Sequence, residues 1–399
     1  MKNILQVITL LAFIFFIASC AKDQLTETPQ ALDAEGTNAF LDDAGLLKAL
    51  ALENEIGTRA KSSTLYTLSN EAAGNQVIAF DIHPDGKISE KGRYSTGGTG
   101  TDGGLGNQGA LALGLGGHLL YAVNPGSNDF SVFYVQTDGG LILKDRVASG
   151  GIRPISITER KSIIYVLNAG GDGNISGFGY NNQAQLVPIP NSTKPLSSNA
   201  SGPAQISFSS NGKALVVTEK ATNTITSYRV LLNKPWNMNT FPAAGATPFG
   251  FAFGNNNNFY VSEAAGGAPG ASTISSYHVD NNGNVALVDG PLPTNRTAAC
   301  WVVLTNNSRF LFTTNTGSND ISTIGVSGFG GLDLLADIAA PASSTPIDAA
   351  LDNDSNYLYV LATGGNTIIS YSVSNQGALN QIDVDGGGLP NNMTGLVVR

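Results

Sequence analysis

A six-residue strand motif recurs seven times between residue 64 and the C-terminus, as TLYTLS, LLYAVN, IIYVLN, ALVVTE, NFYVSE, FLFTTN and YLYVLA. Its centres are Tyr66, Tyr121, Tyr165, Val216, Tyr260, Phe312 and Tyr359, spaced 44 to 55 residues apart. The intervening sequence is strand and turn, with no helical period. One such unit cannot bury its own apolar faces. It must stack on its neighbours, and this repeat length is the signature of propeller blades.

The fullest copy is Gly202 to Val230: an apolar strand, a turn at Asn211-Gly212, a second strand ending at Glu219 and a third through Ile225 and Tyr228. Third strands such as FSVFYV, ITSYRV, TISSYHV and IISYSV alternate in the same way, and turns such as HPDGK, QTDGG, DNNGN and SNQGA lead to a fourth. Gly and Asn supply the positive φ that tight hairpins require. The first unit opens on its second strand, TLYTLS, while the chain ends on a lone first strand, MTGLVVR. The expected fold is therefore all-β, a seven-bladed β-propeller of four-stranded antiparallel blades over residues 64–399. Its C-terminal strand, Gly395 to Val398, completes the first blade beside Thr64 to Ser69, leaving no open edge at the closure.

Ahead of the repeats, Met1 to Ser19 has one base, Lys2, and an apolar run from Ile4 to Ile17, which reads as a secretory signal. Ile17-Ala18-Ser19-Cys20 resembles a bacterial lipobox, which implies acylation of Cys20 and a place in the cell envelope, periplasmic or cell-surface. Residues 20–63 read as an acidic tether, with one short amphipathic helix within Phe40 to Ile56. Without Lys2 the chain has 20 Lys+Arg against 30 Asp+Glu, a formal charge of −10. That balance speaks against nucleic acid and anionic lipid surfaces as partners, so the membrane is reached through Cys20 only, by a monomer. With Cys20 committed to lipid, Cys300 in ACWVVL has no disulfide partner and reads as a buried, inert thiol.

Turns between first and second strands, and between third and fourth, are short. The opposite face receives the long connections Tyr94–Gln108, Pro188–Pro203 and Glu263–Ser272. Any site is expected there, at the mouth of the central channel, engaging a small molecule, a glycan or a protein. Asn124, Asn168, Glu219, Glu263 and Asn315 end equivalent strands and would form a polar ring around that face, with Gln205 beside them. Gly98-Thr99-Gly100-Thr101-Asp102-Gly103 matches a dinucleotide pattern but opens no helix. Asp352 to Asn356 begins like a calcium loop, yet Tyr357 and Thr363 stand where Gly and Glu are needed. His83, His118 and His278 have no ligand-spaced neighbours. No cofactor and no metal are expected.

The Gly202–Val230 unit resembles the seven-bladed lactonase-like propellers, which include bacterial 6-phosphogluconolactonase and fungal carboxymuconate cyclase. Gly202, Pro203, Gly212, Lys213, Glu219, Asn223, Ile225 and Tyr228 fit that blade; Ala204 and Gln205 stand where the family carries Arg and His. Arg153-Pro154-Ile155 replaces a further His of the preceding blade. The resemblance thus keeps the glutamate and loses the imidazoles. Two functions remain open. One is a binding or degenerate-enzyme scaffold working through the long-loop face. The other is a lactone hydrolase or lactone-forming cyclase, with Glu219 as base and Arg153 or Arg296 polarising the carbonyl. Convergence of these three side chains at the channel mouth would favour the enzyme.

Overall fold

In a computed structural model, described here for residues 40–54, 63–386 and 388–399, the repeats form seven antiparallel sheets. Six have four strands. In the third blade two short pieces, Leu186–Pro188 and Lys194–Pro195, share the outer edge. The innermost strands of successive blades touch in a closed cycle, so the sheets form a ring around a central channel. The ring closes as expected: Thr394–Val398 pairs antiparallel with Thr64–Leu68. The Thr67 hydroxyl donates a further hydrogen bond to the Gly395 carbonyl at 2.7 Å.

The recurring tyrosine holds blade to blade. Tyr66, Tyr165 and Tyr359, on second strands, donate to the carbonyls of Gly139, Asn233 and Gly86 in outer hairpins of the following blades, at 2.8, 2.8 and 3.2 Å. Tyr121 meets Tyr180 of the next blade at 3.1 Å. The hairpins must come very close to be reached this way. At Gly86, with φ +83°, a Cβ would lie 2.4 Å from the Tyr357 ring, so both backbone conformation and space demand glycine. Apolar residues between neighbouring blades form the core, including Leu120, Val132 and Ile164 in one cluster and Phe251, Phe259 and Tyr277 in another.

Helix α1, Asp43–Asn54, lies within the stretch expected to be helical, and it packs on the propeller. Asp42 caps its first turn, accepting from the Gly45 N–H at 2.8 Å. Leu46 and Leu50, one turn apart, are fully buried against the second and third blades. Phe40 packs over Gly179, the Leu41 N–H bonds the Tyr180 carbonyl at 2.8 Å, and Asp43 accepts from the Ser162 hydroxyl at 2.6 Å. Tyr180 and Ser162 border short turns, so the helix lies on the short-turn face. The signal segment, Cys20 and residues 20–39 and 55–62 lie outside the described residues.

Candidate functional site

Glu219 ends the second strand of the fourth blade and is completely enclosed. One carboxylate oxygen accepts from the Ser197 N–H at 3.1 Å and the Thr226 hydroxyl at 2.6 Å; the other accepts from Thr222 at 3.1 Å and from the Ser197 hydroxyl. A carboxylate has about four acceptor positions. All are filled by the protein, so none faces a substrate.

The other strand-ending residues act alike. Asn124 bonds Asp129 at 2.7 Å and Ser131 at 2.8 Å, and Asn315 bonds Asp320 and Ser322 at the same two distances. Glu263 is held by Thr273, Ser275 and Tyr277 at 2.5, 2.8 and 3.0 Å, and Asn168 by Asn174 at 2.8 Å. Each is buried and clamps the end of a second strand to the start of the third. What reads in sequence as a polar rim is a set of braces inside the blades.

The two arginines are held elsewhere. Arg296 forms a two-pronged ion pair with Asp320, Nε to Oδ1 at 3.2 Å with its Nη2 on Oδ2. Arg153 is exposed, at φ +56°, and its N–H bonds the Asn128 side chain at 2.8 Å. Thr247 and Thr345, entering the fifth and seventh blades, donate equivalent N–H bonds to the side-chain oxygens of Asn223 and Asn319, at 2.7 and 2.8 Å. The asparagines of the second-to-third-strand turns are thus latches between blades. No hydrogen bond or ion pair joins Glu219, Arg153 and Arg296 to one another among the described residues.

At the channel mouth the Gly-rich connection after the first blade forms a plug. The Asn107 carbonyl accepts from the Trp301 indole at 2.7 Å, its side chain donates to the Ile155 carbonyl, and its Oδ1 accepts from Thr394 at 3.2 Å. The Gln108 amide pairs with both the N–H and the carbonyl of Val302, at 3.1 and 2.8 Å, while its own N–H reaches the Ala204 carbonyl at 3.2 Å. Blades one, three, four and six therefore share this loop. Lys220 donates to Gly106 and, at 2.9 Å, to Pro203, with its ammonium 4.9 Å from the Phe249 ring centre. Burial pulls the Lys220 amine down to about 8. Phe249 packs on Trp301 at 4.8 Å between ring centres. Cys300, beside them, is buried, and burial pushes its thiol up to about 12.

Gln205, at the position of the missing imidazole, spans to the next blade in the manner of Gln108, pairing with the N–H and carbonyl of Phe251 at 2.7 and 3.0 Å. Beneath the plug is a cavity of about 310 Å³ whose polar side chains are Gln108, Gln205 and Asp348. Its remaining walls include Leu113, Val303, Ala350 and Val398, and exposure along the innermost strands rises toward the short turns. The channel is stoppered on the long-loop face and opens on the other, the reverse of the expected pocket. The reason is that the long Gly-rich loop folds inward and fills the mouth instead of framing it.

The remaining candidates have local roles. His83 contacts Ser89 at 2.9 Å in an exposed hairpin, and His278 contacts Asn258 at 3.1 Å. Asp352 accepts from the Tyr357 N–H at 2.7 Å in an ordinary turn. Gly98–Gly103 runs in the plugging connection without a helix, its Gly100 and Thr101 N–H groups bonded to Glu71 and Asn70 carbonyls. Among the described residues no group of three His, Cys, Asp or Glu side chains could hold a metal ion. The residues that sequence reasoning missed, Asn107 and Gln108 of one loop with Lys220, Trp301 and Asp348 of three different blades, are joined by no local pattern.

The fold defines a seven-bladed β-propeller. Within that class its fold is similar to those of solved propellers named as gluconolactonases. A candidate 6-phosphogluconolactonase of Bacteroides uniformis superposes with a TM-score of 0.69 at 16% identity, over 84% of this chain and 98% of that one. A candidate 6-phosphogluconolactonase of Bacteroides fragilis gives 0.67 at 16% identity, over 86% and 99%. The periplasmic gluconolactonase of Pseudomonas aeruginosa gives 0.65 at 16% identity, over 83% and 98%. At such identities the likeness is one of fold. No protein-family profile matches the chain, and no curated protein does.

Proposed function

We propose that this protein is an exported, lipid-anchored propeller that works as a binding scaffold, in which the position of a lactonase-like site has been converted to structure. One observation carries the reading. All the acceptor positions of Glu219 are occupied from within the protein, so it has no free site for a substrate proton. The plugged mouth and the commitment of Arg296 to Asp320 support the same conclusion. The long connections on that face, with Arg153 exposed among them, are then a surface for engaging a small molecule, glycan or protein. A panel of sugar and aromatic lactones, followed by acid release, tests it. Neither the wild type nor Glu219→Gln should exceed the uncatalysed rate. Turnover by the wild type that disappears in Glu219→Gln would overturn the scaffold and establish the hydrolase.

A further inference from the structure

The chain is acidic overall, but its charge is unevenly placed. On the short-turn face of blades three to six stand Arg160, Lys161, Lys213, Arg229, Lys234 and Arg309, all exposed or half-exposed. None is in an ion pair among the described residues, unlike Lys87, Lys91, Arg93, Arg146 and Arg296 elsewhere. The turns that carry them are contiguous. Arg160 lies over Gly212, and the Asn211 N–H bonds Asn257 of the next blade at 3.0 Å. Asp280 and Asp333 lie among these bases, and Asp280 is occupied by the N–H groups of Asn282 and Asn284 at 2.8 Å.

The same stretch exposes apolar tips. The outer hairpin of the fourth blade presents Leu231, Leu232 and Trp236, with Leu232 66% exposed. Leu287 and Val288 follow on the fifth blade, and Phe329, 92% exposed, crowns the outer turn of the sixth. That turn touches Val288 through Gly330, while Gly283 of the fifth blade packs on Tyr228 and Arg229 of the fourth. Bases beside exposed Trp, Leu and Phe are what the headgroup region of an anionic bilayer accommodates. The outer hairpins of the first and second blades, at Asp85 and Asp138, are polar instead.

We propose that the short-turn face of blades three to six docks on the anionic phospholipid surface to which Cys20 anchors the chain. Helix α1 indicates the occupant: it lies on this face, and the chain enters it at Phe40, only 20 residues from Cys20. Fully extended, those residues reach at most about 70 Å. Docking turns the stoppered long-loop face outward and the open end of the channel toward the lipid. The proposal rests on the lipid-anchor reading, and the net charge that argues against anionic surfaces is a sum over faces this one does not share.

The test uses the full processed chain on vesicles of phosphatidylethanolamine, with and without brominated phosphatidylglycerol. The protein has two tryptophans, and only Trp236 is exposed, Trp301 being buried at the plug. Bromolipid should quench Trp236 in anionic vesicles, and Trp236→Phe should abolish the quenching. Combined Lys161→Gln, Lys213→Gln and Lys234→Gln should weaken partitioning of unacylated protein on the order of 100-fold, since each base near such a surface contributes about a factor of five. Protein that sediments with anionic vesicles in high salt but shows no quenching at low salt would overturn the docking while leaving the anchor intact. That is also the outcome if the face receives an acidic protein. If the chain fails to sediment in high salt, the anchor reading fails; low-salt sedimentation with quenched Trp236 then upholds the docking, and its absence overturns it.

Discussion

Asp348 gives the sharpest quantitative prediction. It lies on the innermost strand of the seventh blade, 3% exposed, lining the channel cavity. Its Oδ1 accepts from the Ala349 N–H at 2.9 Å, and N–H groups of Gly395 and Leu396 also reach the carboxyl. These donors do not offset burial, which pushes it up from 3.8 to about 8. Below the unfolded value both states are protonated and the group is neutral to stability. Between pH 3.8 and about 8 the unfolded chain releases this proton while the native state keeps it, so stability falls as pH rises and levels off above about 8. The whole span corresponds to about 6 kcal/mol. An amide in its place leaves one strand N–H without a good acceptor, at about 1–3 kcal/mol whatever the pH. Asp348→Asn should therefore be more stable than wild type by roughly 2–4 kcal/mol at pH 8 and less stable by roughly 1–2 kcal/mol at pH 4. Glu159, raised by burial to about 7 beneath helix α1, gives a pH slope of the same sign, so the difference between variant and wild type is the quantity to follow. Urea unfolding from pH 4 to 9 measures it. A constant difference across that range would refute the argument, because a neutral side chain would then have replaced one that was never protonated in the native state.

Two further outcomes test the framework. Glu219→Ala strands four donors and should cost about 3 kcal/mol, while Glu219→Gln, which keeps one acceptor oxygen, should cost about 1 kcal/mol; equal melting temperatures for all three proteins would remove the brace. Deleting Thr394 to Arg399 opens the ring and strips the pairing from Thr64–Leu68, so the truncate should unfold or aggregate, and unchanged melting would contradict the closure.

The blades were legible because their signals are local. An alternating strand, a Gly or Asn at a hairpin and a tyrosine at a fixed place in the repeat each act within a few residues, and Gly86, Gly139, Gly283 and Gly377 take the positive φ their turns require. The candidate site was legible only as a roster. Glu219 could be found by its place in the repeat, but one of its partners, Ser197, comes from the loop before the blade, 22 residues away, and no periodicity announces that bond. The Asn107–Trp301 bond joins residues 194 apart. Loop length suggested a binding mouth because a long loop on a rigid scaffold usually frames a site; here its polar groups found better partners across the channel.

By itself the sequence determined the number of blades, their antiparallel strands and the closure between the two ends of the chain, since apolar alternation and turn chemistry are short-range and repeat seven times. Tertiary structure decided which polar groups remain available. Folding the fourth blade brings the Glu219 carboxylate among hydroxyls that consume it, and closing the ring stoppers the channel from one side and gathers bases from three blades on one face of an acidic protein. Composition sums charge over the whole surface. Only the fold assigns it to faces.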